Sequence, residues 1–138
     1  MHMQGTPQTM QSHPEYGDVV EEVFAWLAAR RDALLAAGIV RDRIALDPGI
    51  GFGKTAAHNL ALLRNLSRFR ELGCPLLIGV SRKAFIGHVI GDLKADRTAG
   101  TIGAALAAAR QGVEVLRVHD VAVVRQALLV FEATGGLL

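Results

Sequence analysis

One cysteine in 138 residues, Cys74, rules out an internal disulfide and with it the small disulfide-stapled scaffolds. No apolar run approaches the roughly 20 residues a membrane-spanning helix needs, and no basic-plus-apolar leader opens the sequence. A reducing cytoplasm is the expected setting. Charge of one sign is nowhere concentrated: 15 Lys and Arg are interleaved with 13 Asp and Glu for a net charge of +2, which favours neither nucleic acid nor a membrane surface as partner. Aromatics are 5% of the residues, too few to identify a ligand, and no spacing among His2, His13, His58, His88 and the acidic residues resembles a zinc site. A metal held wholly by this chain is not expected.

Apolar residues make up 51% of the sequence, enough to fill one ordinary domain. Val19, Val20, Val23, Phe24, Leu27, Leu34 and Leu35 recur at helical spacing and predict a helix from Asp18 to Ala37, stopped by Gly38, with Trp26 off the stripe. A short buried strand, IALD, follows. Leu60, Leu63, Leu66 and Phe69 then predict a helix over 57–72, ended by Gly73. The cycle repeats with a strand at 75–80, helices over 84–90 and 96–111, the strand VEVLRV and a final helix over 120–134.

Strand-to-helix transitions follow Leu46, Val80 and Val118, spaced 34 and 38 residues apart, the size of successive βα units. The fold class is therefore α/β, with parallel strands covered by helices. Open doubly wound sheets and closed (β/α)8 barrels both place ligands at strand C-termini, so periodicity leaves the two open. About three complete βα units and part of a fourth are visible, because MHMQG reads as the end of a strand whose beginning is expected to be missing.

The run LDPGIGFGKT carries the strongest site signal. Asp47 ends a strand, and Asp-Pro alone would be ordinary turn punctuation. Gly49, Gly51 and Gly53 alternate behind it, however, and permit positive φ and close approach of a flat or anionic ligand; Gly79 in the next strand is a further position of close approach. GKT at 53–55 nearly matches a phosphate-binding P-loop, but Pro48 stands where the first glycine belongs and Asp47 would face the phosphates. Ser81, Arg82 and Lys83 read as a solvated corner in isolation. Their position after a buried strand, at the same end as Asp47, favours a ligand role. Arg117 and His119 lie two residues apart on one strand face, and a buried arginine there would need an anion. Asp120 is expected to cap the final helix, with a partnership to Arg117 and His119 as the alternative.

Together and in order, MHMQGTPQTMQ, LDPGIGFGK, GVSRKAFIG, RTAGT and RVHDV resemble the C-terminal half of the bacterial dihydropteroate synthases, over essentially the whole sequence. The resemblance implies the C-terminal half of a (β/α)8 TIM barrel, a single partial domain over 1–138 whose N-terminal half is absent. It also implies a chemistry: a dihydropterin activated as its CH2-pyrophosphate condenses with 4-aminobenzoate to 7,8-dihydropteroate, releasing pyrophosphate with the help of Mg2+. Asp47 and Lys83 would then bind the pterin, and Arg117 and His119 the pyrophosphate. Phe52, Ser81, Arg82 and Ala84 would border the aminobenzoate pocket. Ala84 stands where many relatives carry a serine. The main magnesium contact is implied to lie in the absent half, and the intact family member is implied to be a homodimer. By itself the chain is expected to be a poor catalyst. The rival expectations are a non-catalytic half-barrel binding or assembly module and, less favoured by the residues, a P-loop-like nucleotide binder.

Overall fold

The structure, a computed structural model, describes residues 1–137. Its helices are α1 (Val19–Ala36), α2 (Ala56–Arg64), α3 (Leu66–Arg70), α4 (Ala84–Ile90), α5 (Thr98–Arg110) and α6 (Val121–Ala133), with one 3-10 turn at Arg41–Arg43. Two short strands, β1 (Leu77–Ile78) and β2 (Val115–Leu116), pair in parallel, Leu77 opposite Val115 and Ile78 opposite Leu116. Leu46 adds a parallel bridge to Leu76 on the other side of β1. The backbone N–H and C=O of Leu46 both bond toward β1, at 2.8 Å to Pro75 O and 2.9 Å from Leu77 N. Successive peptide groups alternate direction along a strand, so Asp47 O points the opposite way, where it accepts His2 N at 2.9 Å. The layer order is thus the N-terminal residues, the Leu46 segment, β1 and β2.

Side-chain alternation gives this layer two unlike faces. Ile44, Leu46, Leu76, Ile78 and Val80 are buried, in one cluster with Val23 and Leu27 of α1, Leu62 of α2, Leu66 and Phe69 of α3, Ala105 of α5 and Val124 of α6. The odd-numbered residues Ala45, Val115 and Arg117 are exposed and Asp47 and Leu77 half-buried. Asp47, Gly79 and Arg117 therefore share the face that the helices do not cover. No helix among the described residues is long and apolar enough to cross a membrane.

The helix expected over 57–72 is two helices. At Asn65 the backbone leaves the helical region (φ −122°, ψ 30°), and its side-chain amide donates to Ala61 O at 2.8 Å, a local bond that competes with helix continuation. Gln111, just past α5, meets the groups freed by the break: its Oε1 accepts Leu66 N at 2.9 Å and its Nε2 donates to Leu63 O at 2.7 Å. The other helices lie within two residues of the expected bounds, and α1 is capped by Asp18, whose side chain accepts from the amides of Val20 and Glu21.

Candidate functional site

The glycine run after Leu46 is held mostly by the chain's own side chains. Asp47 Oδ1 accepts Gly49 N at 2.7 Å, so one carboxylate oxygen punctuates the turn, while Oδ2 makes no hydrogen bond among the described residues. Asn59, buried in the first turn of α2, accepts Gly51 N at 2.7 Å. Thr55 and His58 form a reciprocal capping box at the start of that helix. Both His58 and Asn59 are the first-turn residues their positions predict, but the brace from Asn59 to Gly51 has no local sequence signature.

The three glycines do need their conformations, though not for the reason the sequence suggests. Gly49 has φ +72°, and a Cβ there would lie 1.8 Å from His2 O. Gly53 has φ +64°, and its Cβ would meet Gln4 O at 2.7 Å. The close approach is made by the N-terminal segment rather than by a ligand. Gly51 (φ +82°) instead leaves room for the aliphatic stem of Lys83, whose Cδ would be 3.2 Å from an added Cβ. Gly49→Ala is therefore expected to destabilise the protein by at least about 2 kcal/mol, from left-handed strain and the displaced N-terminal segment, readable as a shifted denaturation midpoint.

The SRK turn sends its three side chains to three places. Arg82 adopts φ +57°, an unusual conformation for a residue with a Cβ. Three contacts hold it: its N–H donates to Thr101 Oγ1 at 2.9 Å, Arg97 donates to its carbonyl at 2.9 Å, and its guanidinium spans both Asp120 oxygens at 2.9 and 2.8 Å. Asp120 thus stands at the N-cap position of α6 without capping it, and pairs with neither Arg117 nor His119. Both carboxylate oxygens are thus taken by Arg82 Nη2 instead of by the first amides of α6. Ser81 is buried and turned toward β2, its Oγ bonded to His119 N at 3.1 Å and His119 Nδ1 at 2.8 Å. Lys83 runs the other way, along Gly51. Its Nζ donates to Ile50 O and lies 4.9 Å from the Phe52 ring centroid.

Two clefts result, with Lys83 on the wall of both. The larger, about 560 Å³, is bordered by Phe52, Asn59, Lys83, Ala84 and His88. The smaller, about 270 Å³, lies among Gly79, Ser81, Lys83, Arg117 and His119. Gly79 forms its floor: a Cβ there would sit 3.6 Å from Lys83 Nζ and 3.7 Å from Arg117 Nε. Arg82 lines neither cleft, and Ser81 lies with Arg117 and His119 rather than with Phe52 and Ala84. Arg117 and His119 are exposed, so the desolvation argument for an anion partner does not apply to them. What survives is their position, on the open face beside a second cation. Burial lowers the Lys83 amine to about 8, with Asp47 opposing that shift and Arg117 adding to it. No carboxylate lines the smaller cleft, so its donors do not fit a divalent cation, which takes hard oxygen ligands.

His2 carries no site signal in the sequence, and Lys54 carries only that of a P-loop lysine. Lys54 is 3% exposed and turned into the protein, where it donates to Gly49 O and Phe52 O at 3.0 and 2.9 Å. A P-loop lysine would reach outward to phosphates, and the amides of Gly49 and Gly51 are already spent on Asp47 and Asn59, so the geometry opposes the nucleotide-binding reading. His2 Nδ1 lies 2.9 Å from Lys54 Nζ, and its ring meets the Trp26 indole edge-on at 5.1 Å.

Residues 1–119 match the sequence profile of a family described as pterin binding enzyme. The chain belongs to the pterin binding enzyme family. It is 52% identical to the dihydropteroate synthase of Neisseria meningitidis serogroup B, over 98% of this chain and 49% of that protein. The solved dihydropteroate synthase of Thermus thermophilus in complex with 6HMPPP is 49% identical with a TM-score of 0.88, over 96% of this chain and 53% of that one. The complex of the same enzyme with 4-aminobenzoate is 49% identical with a TM-score of 0.85, over 93% and 52%. This pterin binding enzyme chain spans about half the length of the curated relatives it matches.

Burial in this family member lowers His2 to about 4 from an ordinary 6.5, with the Lys54 charge adding to the effect. The unfolded chain then binds the extra proton between those values, so stability is full above about pH 6.5 and falls as pH drops toward 4. The loss should reach about 3 kcal/mol, measured by denaturant titration across that range. In His2→Asn, which keeps an acceptor near Nδ1 but does not titrate, this slope should flatten.

Proposed function

We propose that this chain is about half of the (β/α)8 barrel of a dihydropteroate synthase and forms one wall of its active site. The reaction joins a dihydropterin, carried as its CH2-pyrophosphate, to 4-aminobenzoate. The carbon–nitrogen bond forms as the carbon–oxygen bond to pyrophosphate breaks, and the amine's proton is lost to give 7,8-dihydropteroate. The observation that carries this reading is the shared wall: Lys83 faces Phe52 and Ala84 in one cleft and Arg117 and His119 in the other.

In this reading Asp47 Oδ2 accepts from the pterin's amino and ring N–H groups, and Lys83 donates to its acceptor edge. Phe52 and Ala84 border the aminobenzoate. Negative charge gathers on the departing pyrophosphate, and Lys83, Arg117 and His119 are fixed donors where it develops. An aromatic amine is already a nucleophile at neutral pH, so positioning and electrostatics suffice. Magnesium, implied by the family, finds no fitting donor set in the smaller cleft, and no step here passes through it. A homodimer in a reducing cytoplasm is the proposed setting of the intact enzyme.

Calorimetry of the 138-residue chain with a pterin and with pyrophosphate, followed by mixing with the segment of a relative that it does not cover, tests the proposal. Uptake of both ligands and synthase activity only on mixing support it. Pyrophosphate binding without rescue would instead indicate a non-catalytic binding module.

A further inference from the structure

Lys54 belongs to the glycine run, yet none of the roles above uses it. No carboxylate lies within ion-pair distance of it among the described residues. Its three contacts are all acceptors: Gly49 O at 3.0 Å, Phe52 O at 2.9 Å and His2 Nδ1 at 2.9 Å. An ammonium has three N–H donors and no lone pair, so three acceptors saturate it. His2 Nδ1 must then be unprotonated, with the ring proton on Nε2. A neutral amine would donate to only two of the three.

The acceptors sit at the two ends of one turn. Gly49 is the residue whose amide holds Asp47 Oδ1, and Phe52 is the aromatic wall of the larger cleft. Phe52 N also donates to Gly49 O at 3.0 Å, so that carbonyl is shared between the turn's own bond and the ammonium. Around it, Gln11 donates to Gly51 O at 2.6 Å and Tyr16 to Gly53 O at 2.8 Å, so the segment ahead of α1 is tied to the same loop.

We infer that Lys54 is a positioning residue of the turn that carries Asp47 and Phe52: by closing on the carbonyls of Gly49 and Phe52 and on the His2 imidazole, its ammonium sets the direction of Asp47 on the open face and of Phe52 in the larger cleft. The inference rests on the reading of Asp47 as the pterin acceptor and of Phe52 as a wall of the aminobenzoate site; Asp47 itself lines neither cleft. Lys54 acts through the loop, in contrast to Lys83, which addresses the ligand.

Lys54→Met, which keeps length and removes every donor, and Lys54→Gln, which keeps two, test this in the 138-residue chain. Amide hydrogen exchange at Gly51 and Phe52 should accelerate about tenfold or more in the methionine variant and less in the glutamine variant, with core amides of β1 and β2 unchanged. Pterin affinity should fall about tenfold while pyrophosphate affinity, set across the smaller cleft, changes less than about twofold. Unchanged loop exchange overturns the inference, as does an equal loss of both ligands, which would mark a general structural role. Should Lys54→Met fail to fold, Lys54→Gln carries the same comparison. If the unsubstituted chain takes up no pterin, the functional reading fails, and loop exchange together with the Phe52 ring resonances still decides the positioning claim.

Discussion

Lys83→Ala is expected to weaken pterin binding by about 10- to 100-fold, because it removes a charged donor from a partly buried wall, where such bonds contribute about 1.5–3 kcal/mol. Isothermal calorimetry below pH 8 is the measurement. The same substitution should not lower stability in proportion. Lys83 is ammonium at a cost, since burial brings its folded value to about 8 from 10.5. Between those values the unfolded chain holds more protons, so stability rises with pH across that window, and below it the burial penalty is fully felt. Alanine relieves that penalty while losing the bond to Ile50 O. In the unsubstituted protein, pterin affinity should also fall as pH rises through about 8, and this step should vanish in Lys83→Ala. Normal pterin affinity in the variant would leave Lys83 as a structural donor to Ile50 O with no ligand role.

Arg117→Ala is expected to weaken pyrophosphate binding by about 10- to 100-fold and to leave pterin binding nearly unchanged. Arg117 is exposed and makes no hydrogen bond through its side chain to a described residue, so its removal strips no internal structure. Its value lies in position: with Lys83 it flanks the floor at Gly79, and two cations across so small a cleft suit a polyanion. Raising ionic strength should reduce the difference between variant and parent, since an exposed charge is screened. Equal losses for both ligands would mean that the two clefts are not separable.

The succession of βα units was legible because helical periodicity and glycine stops are local signals, and the residues at strand ends followed from topology. Strand length was not legible. One ladder is two residues long and the other a single bridge, and such pairing depends on partners far along the sequence, such as Leu77 with Val115. The break at Asn65 depends likewise on Gln111, a side chain from another helix. Asp47 and Phe52 stand out because a strand end followed by glycines is a compact signature, and Lys83 because a charged triplet follows a buried strand; their ligand roles remain proposals. Arg117 is singled out through a premise of burial that the open face does not meet. Lys54 reads only as the lysine of a P-loop-like run, because a lysine's burial is set by tertiary partners, here His2, 52 positions earlier. The glycines were singled out correctly as positions of positive φ, but sequence cannot distinguish a ligand's approach from that of the chain's own backbone.

The most direct test replaces the matching segment of the Neisseria meningitidis serogroup B dihydropteroate synthase with this chain and measures formation of 7,8-dihydropteroate. At 52% identity the replaced segment should fold in place. The chimera is predicted to be active, and Lys83→Ala or Arg117→Ala within it to reduce kcat/KM by about 100-fold. A folded chimera without activity, or one indifferent to both substitutions, would contradict the account.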